Sequence, residues 1–275
     1  MATTESAKID EGISKQPESN KRVASANTLK KKLLAAFLPH VIVPSRAMKI
    51  ITMIHIAIAI GFWMTIPEST FPGPISIAQA FGNLWVQNAL GRELITSLTL
   101  NLQMIAILIP IGIMVVIGRS LSATKGIITA MGTFRFLGMS GLTLIFTFYT
   151  SGAHSLRLSL LVFFVGAYLI TSLARIVDAV PQAKRDYMRT LGMSEWEAMY
   201  EVDLRGNALE MWEALRQNQA MGWMMLTAVE GITKSEGGVG TLLLNSQRVW
   251  NLDEVYAIQI TLWIVGLFID YLFVS

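Results

Sequence analysis

The chain has 275 residues, of which 53% are apolar and only 15% charged, and its mean hydropathy is +0.51. Soluble domains carry about a quarter charged residues, so this is not the composition of an ordinary soluble enzyme. The absence of cysteine excludes disulfide frameworks, cysteine nucleophiles and thiolate metal sites, and three scattered histidines (His40, His55, His154) offer little for a histidine metal centre. Net charge is +3 and the isoelectric point about 9.2, so the placement of the charges decides between nucleic acid and membrane.

Residues 1–32 hold almost no large apolar side chains and end in Lys30-Lys31-Lys32. Such a segment buries too little surface to offset its ordering entropy and is expected to be a disordered tail. The first apolar run begins near Ile50, too far in for a signal-peptide core. Residues 33–49 form a juxtamembrane segment, and 28–38 read as a short basic amphipathic helix ended by Pro39, suited either to an anionic membrane surface or to solvent.

A membrane-spanning helix needs about 20 mostly apolar residues. The candidates in chain order are Ile50–Ile66, Leu94–Ile117, Ile127–Tyr149 (an interrupted stretch), Leu158–Ala174, Gln219–Ile232 and Ala257–Val274. The fifth is less apolar, and its Ala220, Gly222, Ala228 and Gly231 would let helices approach closely inside a bundle. Between the first two, a segment opened by Pro67 turns helical through Ile75–Leu90. Before the last, Gly237-Gly238-Val239-Gly240 makes a flexible turn.

Six spans put both termini on one side. Lysine and arginine number nine through Lys49, two in 118–126 and six in 175–216, against four on the other side (Arg92, Arg157, Lys234, Arg248). The positive-inside rule then places the termini in the cytoplasm and explains the basic isoelectric point by topology. A nucleic-acid surface would want a basic face with interleaved aromatics on a soluble domain, and no such face is visible.

Residues 175–216 form a long insertion on the side of the termini, and its signals are local. Pro181 suits the first turn of a helix that runs through Leu191. Gly192 can take the left-handed conformation that ends it. Ser194 with Glu197 forms a capping box that opens a second helix through about Glu201. A plain surface hairpin between two spans would carry the same signals.

At this point the sequence resembles the permease subunits of binding-protein-dependent ABC importers. Their cytoplasmic loop carries E-A-A-x3-G-x9-I-x-L-P. Anchored on Gly192, the acidic position falls on Asp186, the two alanines on Tyr187 and Met188, the isoleucine on Val202, the leucine on Leu204 and the proline on Arg205. Arg189-Thr190-Leu191-Gly192-Met193-Ser194 is similar to the family's R-T-L-G-A-S. Further short elements match the nitrate, sulfonate and taurine group in order and spacing from about residue 50 to 275. They are Phe71-Pro72-Gly73-Pro74, Ile109-Pro110-Ile111-Gly112 with Gly118-Arg119-Ser120, Phe134-Arg135-Phe136-Leu137-Gly138, and Ala228-Val229-Glu230 followed by 237–243. Asp270 falls on an acidic position near the end of that group's last span.

The resemblance implies an all-α polytopic helical bundle of the type I importer kind, with a permease domain over 50–275 and coupling helices at about 182–201. It implies a bacterial plasma-membrane protein with a cytoplasmic N-terminus. It also implies a second permease copy, two cytoplasmic ATPases, an external solute-binding protein, and a small solute such as nitrate, a sulfonate, taurine or bicarbonate. No cofactor is expected on this chain, and ATP is expected on the partner. The residues agree, since no G-x4-G-K-[ST] phosphate loop is present. Asp186, Tyr187, Met188, Gly192, Met193, Val202 and Leu204 are the expected ATPase-coupling residues, with the acidic second helix facing basic groups on the ATPase. Polar residues within spans are costly in lipid and face a cavity or a partner, so Asn101, Gln103, Arg135 and Glu230 are candidates for the translocation pathway or for inter-helical bonds. A stand-alone channel or secondary transporter would show matching broken helices in two halves, and no repeat is visible. A membrane-embedded enzyme would cluster His, Asp or Glu within the spans.

Overall fold

The computed structural model describes residues 45–65, 72–87, 90–233 and 236–274, and the tail, the basic segment 28–38, Phe71 and Lys234 lie outside them. Every element among the described residues is helical. They fall into two units divided between Gly73 and Pro74.

The first unit contributes α1, Ser45–Thr65, which is apolar along its length. Its Trp63 indole N–H donates to Pro72 O at 3.1 Å, and His55 Nδ1 lies 2.8 Å from Ile51 O one turn back.

The second unit is a helical bundle of α2 (Pro74–Val86), α3 (Leu90–Ser120), α4 (Lys125–Gly132), α5 (Met139–Tyr149), α6 (Ala153–Ala179), α7 (Gln182–Thr190), α8 (Glu195–Ala198), α9 (Ala208–Ile232), α10 (Val239–Arg248) and α11 (Leu252–Val274). At its centre α6 packs between α3 and α9. The core there is Met104, Leu108 and Val116 from α3, Leu160, Leu161 and Leu169 from α6, and Leu226 and Val229 from α9. Apolar side chains recur every three or four residues, so each helix presents a continuous stripe. Gly222 brings α9 close to its neighbours, because a Cβ there would lie 2.8 Å from Met104 Cε and 3.2 Å from Val165 Cγ2. Gly231 likewise faces Leu244 and Gly240. Ala220 and Ala228 instead sit on the exposed face of α9.

Four described helices are long and apolar enough to cross a membrane, namely α1, α3, α6 and α11, and a fifth if one bent pair counts as a span. That pair shows how the third, interrupted stretch Ile127–Tyr149 is built. The chain runs as α4, a 3-10 turn Thr133–Phe136, two extended residues and then α5, with a bend of 113°. Leu137 and Gly138 have ψ near 136° and 138°; glycine is a poor helix former and carries no side chain to hold the helix through the break. The expected span Gln219–Ile232 lies inside α9, whose 25 residues reach about 37 Å. Length suffices to cross, but α9 is less apolar than the four.

Candidate functional site

The insertion between α6 and α9 folds as its local signals direct. α7 ends at Thr190, and Gly192 sits at φ +79°, its N–H donating to Arg189 O while Met193 N–H donates to Met188 O. These bonds satisfy carbonyls that a helix end leaves unpaired. Ser194 Oγ accepts from Glu197 N–H and the Glu197 carboxylate accepts from Ser194 N–H at 2.7 Å, which completes the capping box. The second helix is shorter than expected: α8 stops at Ala198 and continues as a π-helical turn, Met199–Arg205. That turn swings Asp203 inward.

Asp203 is the anchor of the hairpin. Its side chain is 2% exposed and accepts from Arg185 Nη2 at 2.8 Å, Arg185 Nε at 3.1 Å and Ser120 Oγ at 2.9 Å. Arg185 also donates to Val177 O. Next to it Arg119 grips Asp178 with two bonds of 2.9 and 2.5 Å and donates to Thr129 Oγ1 and Lys125 O. The ends of α3 and α6, the start of α4 and the hairpin are therefore pinned together around a polar cleft of about 550 Å³.

On the outer surface Arg189 bridges Glu195 (2.7 and 2.9 Å) and Asp186 (2.6 Å). The hydrogen bond to Arg189 holds the Glu195 carboxyl below its ordinary range and raises the Arg189 guanidinium, and Ser194's backbone and hydroxyl hold Glu197 down. Glu201 pairs with Arg205. Glu195, Glu201 and Asp203 of the second segment thus each have a basic partner within the chain, while Glu197 serves the cap. Exposed beside these pairs are Tyr187, Leu191, Trp196 and Tyr200, each more than half exposed, together with Lys184. Of the other expected coupling residues, Gly192 is exposed and a Cβ there would meet open space, Met188 and Met193 are half-buried, Val202 is buried, and Leu204 packs against the core. Val202 and Leu204 root the hairpin in the bundle and do not present it.

At the opposite end of the same helices a second network ties down the glycine turn. Glu230 is fully buried and accepts from Ser97 Oγ at 2.7 Å and Gly240 N–H at 2.8 Å. Ser97 accepts from Val239 N–H, and Glu93 accepts from Gly238 N–H. Two carboxylates and a hydroxyl thereby cap the N-terminus of α10. Arg157, 1% exposed, donates to Thr233 Oγ1, Thr233 O and Gly237 O. His154 Nδ1 lies 3.7 Å from Glu236. Gly237 and Gly238 have φ of +73° and +96°, and a Cβ on Gly240 would lie 2.7 Å from Thr227 Cα.

The candidate pathway residues do not gather. Asn101 is buried in α3, and Gln103 is half-buried beside it. Asn101 Oδ1, Gln103 Oε1 and Gln219 Nε2 have no hydrogen-bond partner among the described residues. Arg135 sits on the 3-10 turn with its guanidinium 4.8 Å from the Phe136 ring centre. Glu230 is committed to α10. Sequence reasoning missed Asp203, Arg185, Asp178, Arg157, Ser97 and Glu93 as organisers. Most of their partners lie 59 to 145 residues away, Arg185 being the exception with Asp203 at 18 and Val177 at 8, and a local pattern carries no such signal.

The helices and the projecting hairpin define an all-α polytopic membrane protein. No family model matches the chain. Over 112 residues it is 26% identical to a protein of Methanocaldococcus jannaschii whose name carries the words ABC transporter permease. The match covers 40% of this chain and 42% of that relative, so the chain spans about two fifths of the relative it matches. The similarity supports the permease class in general.

Proposed function

We propose that this chain is a membrane-spanning permease subunit of an ABC importer, with ATP bound and hydrolysed by a separate cytoplasmic subunit. The observation that carries this reading is the projecting hairpin. It has capped helices, exposed aromatic and apolar side chains, and a buried root that ties it to α3 and α6. A hairpin fixed in this way moves as a body, so closure of an ATPase pair gripping Tyr187, Leu191 and Trp196 would shift the ends of both helices together. The exposed rings of Tyr187, Trp196 and Tyr200, set among charged side chains, suit a docking groove on the ATPase that is partly apolar. In this reading the chain pairs with a second copy in a bacterial plasma membrane, with the N-terminus and hairpin in the cytoplasm. An external solute-binding protein delivers a small solute of the nitrate, sulfonate, taurine or bicarbonate kind to the far end.

The test is reconstitution with the ATPase that co-purifies with the chain. Gly192→Val meets open space, so its cost is the left-handed backbone, about 1–2 kcal/mol. Membrane insertion should survive while solute-stimulated ATP hydrolysis uncouples from uptake. Uptake at the unmodified rate with Gly192→Val, or no ATPase retained on the purified chain, would overturn the reading.

A further inference from the structure

Between Glu93 and Asp178 the chain holds no acidic residue, yet Arg135 stands in the middle of that stretch, on the 3-10 turn that joins α4 to α5. The depth of this turn follows from what it packs on. Phe134 stacks on Phe163 of α6 with ring centres 6.0 Å apart, and a Cβ on Gly132 would lie 3.0 Å from Thr171 Oγ1. Phe163 and Thr171 are the eleventh and nineteenth of the 27 residues of α6, so the turn lies beside the middle of a helix about 40 Å long. Headgroups begin about 15 Å from the centre of the hydrocarbon core, beyond the reach of one arginine side chain from that level.

Among the described residues nothing of opposite charge answers Arg135. Its guanidinium has no carboxylate partner and no hydrogen bond there, and leans on the Phe136 ring at 4.8 Å. The break that follows adds donors of its own. α5 makes its first hydrogen bond from Leu142 N–H to Gly138 O at 3.4 Å. The N–H groups of Met139, Ser140 and Gly141 therefore have no acceptor among the described residues, and the Ser140 hydroxyl has no partner there either. Gly138 and Gly141 leave the space beside them open, since a Cβ on either would meet nothing within 4 Å. An intramembrane charge and bare N–H groups are costly in lipid and are answered by a cavity or a partner. The one charge here is positive and every unsatisfied backbone group is a donor, so the partner that fits is an anion with acceptor oxygens.

We propose that Arg135 is the centre of an anion subsite at this break, and that it takes a small planar oxyanion such as nitrate, bicarbonate or a carboxylate. A guanidinium fork matches two oxygens held in one plane, which a spherical halide does not offer. The uncompensated cation carries the site. The free N–H groups of Met139, Ser140 and Gly141, at the positive end of α5, add to the attraction. The assignment rests on the permease reading above and deepens it by naming Arg135 as the residue that selects an oxyanion over a halide.

The test uses the full chain in nanodiscs with its co-purified ATPase. Isotope-labelled nitrate and bicarbonate, and separately chloride, are titrated, and binding is followed by calorimetry and by line broadening of the labelled anion. Saturable binding of nitrate or bicarbonate is expected, with chloride at least about ten-fold weaker. Arg135→Gln should weaken the oxyanion about ten- to a hundred-fold. Arg135→Lys keeps the charge but loses the fork and should fall between. Thermal unfolding without anion should be unchanged in both variants, and nitrate should raise it in the unmodified chain but not in Arg135→Gln. Three results would overturn the site: no saturable oxyanion binding, binding untouched by Arg135→Gln, or Arg135→Gln lowering unliganded stability or separating two copies of the chain. The last would mean that a second copy's carboxylate holds Arg135. ATPase retention on the same samples separates the two readings. Retention without oxyanion binding removes the subsite alone, and oxyanion binding without an ATPase removes the coupling role alone.

Discussion

The two ends of the bundle use the same kinds of residue to opposite effect. At the hairpin end, arginines and carboxylates pair with each other, mostly at the surface, and leave apolar rings facing outward. At the far end, Glu93, Glu230 and Arg157 pair chiefly with backbone N–H and C=O groups, and their side chains fix a glycine turn from within. A surface ion pair in water contributes little, about 0–1 kcal/mol, whereas a buried charge bonded to backbone dictates the path of the chain because leaving it unpaired is costly. The first end is therefore suited to be gripped and moved, and the second to stay put.

The sharpest way to break this comparison is Gly240→Ala. The new methyl would meet the backbone of Thr227, which cannot move aside as a side-chain tip could. We expect a loss of about 3 kcal/mol, at the top of the range for overpacking. Thermal unfolding in detergent measures it, and near-native stability would show that the far end is not rigid.

Asp203→Asn comes next. It removes the negative charge from a carboxylate that accepts from Arg185 and Ser120. Breaking a buried pair costs about 3–5 kcal/mol. Arg185 is 25% exposed, so about 2 kcal/mol is expected here. Amide exchange should rise across 182–205 with the far end unchanged. Equal rises at both ends would show that the hairpin is not separately rooted.

The smallest effect lies on the hairpin surface. Glu195 and Glu197 are held below their ordinary carboxylate range, so their contribution is present above the unfolded value, about 4.3, and is lost as pH falls through the lower folded values. Exchange in 194–198 should be flat from neutral pH to about pH 5 and should rise only in more acid solution. Ser194→Ala should give a similar local rise at neutral pH, costing about 1 kcal/mol. A rise that begins near neutral pH would mean that groups other than these two carboxylates govern the hairpin.

Much of the hairpin was legible in the order of its residues. The cap at Ser194, the turn at Gly192 and the helix after Pro181 depend on residues within four positions of one another, and such signals survive in any context. Charge placement and apolar runs likewise located α1, α3, α6 and α11. The third apolar stretch was legible as interrupted, but its 113° bend was not, because an apolar pattern does not carry the extended backbone of Leu137 and Gly138.

Composition and short-range spacing thus determined by themselves an oily all-helical chain with a capped pair of helices between two apolar stretches. Only the tertiary structure decided which charges are anchors and which are surface, that Val202 and Leu204 turn inward, and that α9 buries Asn218, Gln219 and Glu230. The physical reason is range. Capping and hydropathy act over a turn of helix, while the bonds of Asp203, Arg157 and Glu230 join residues that only packing brings within hydrogen-bond reach.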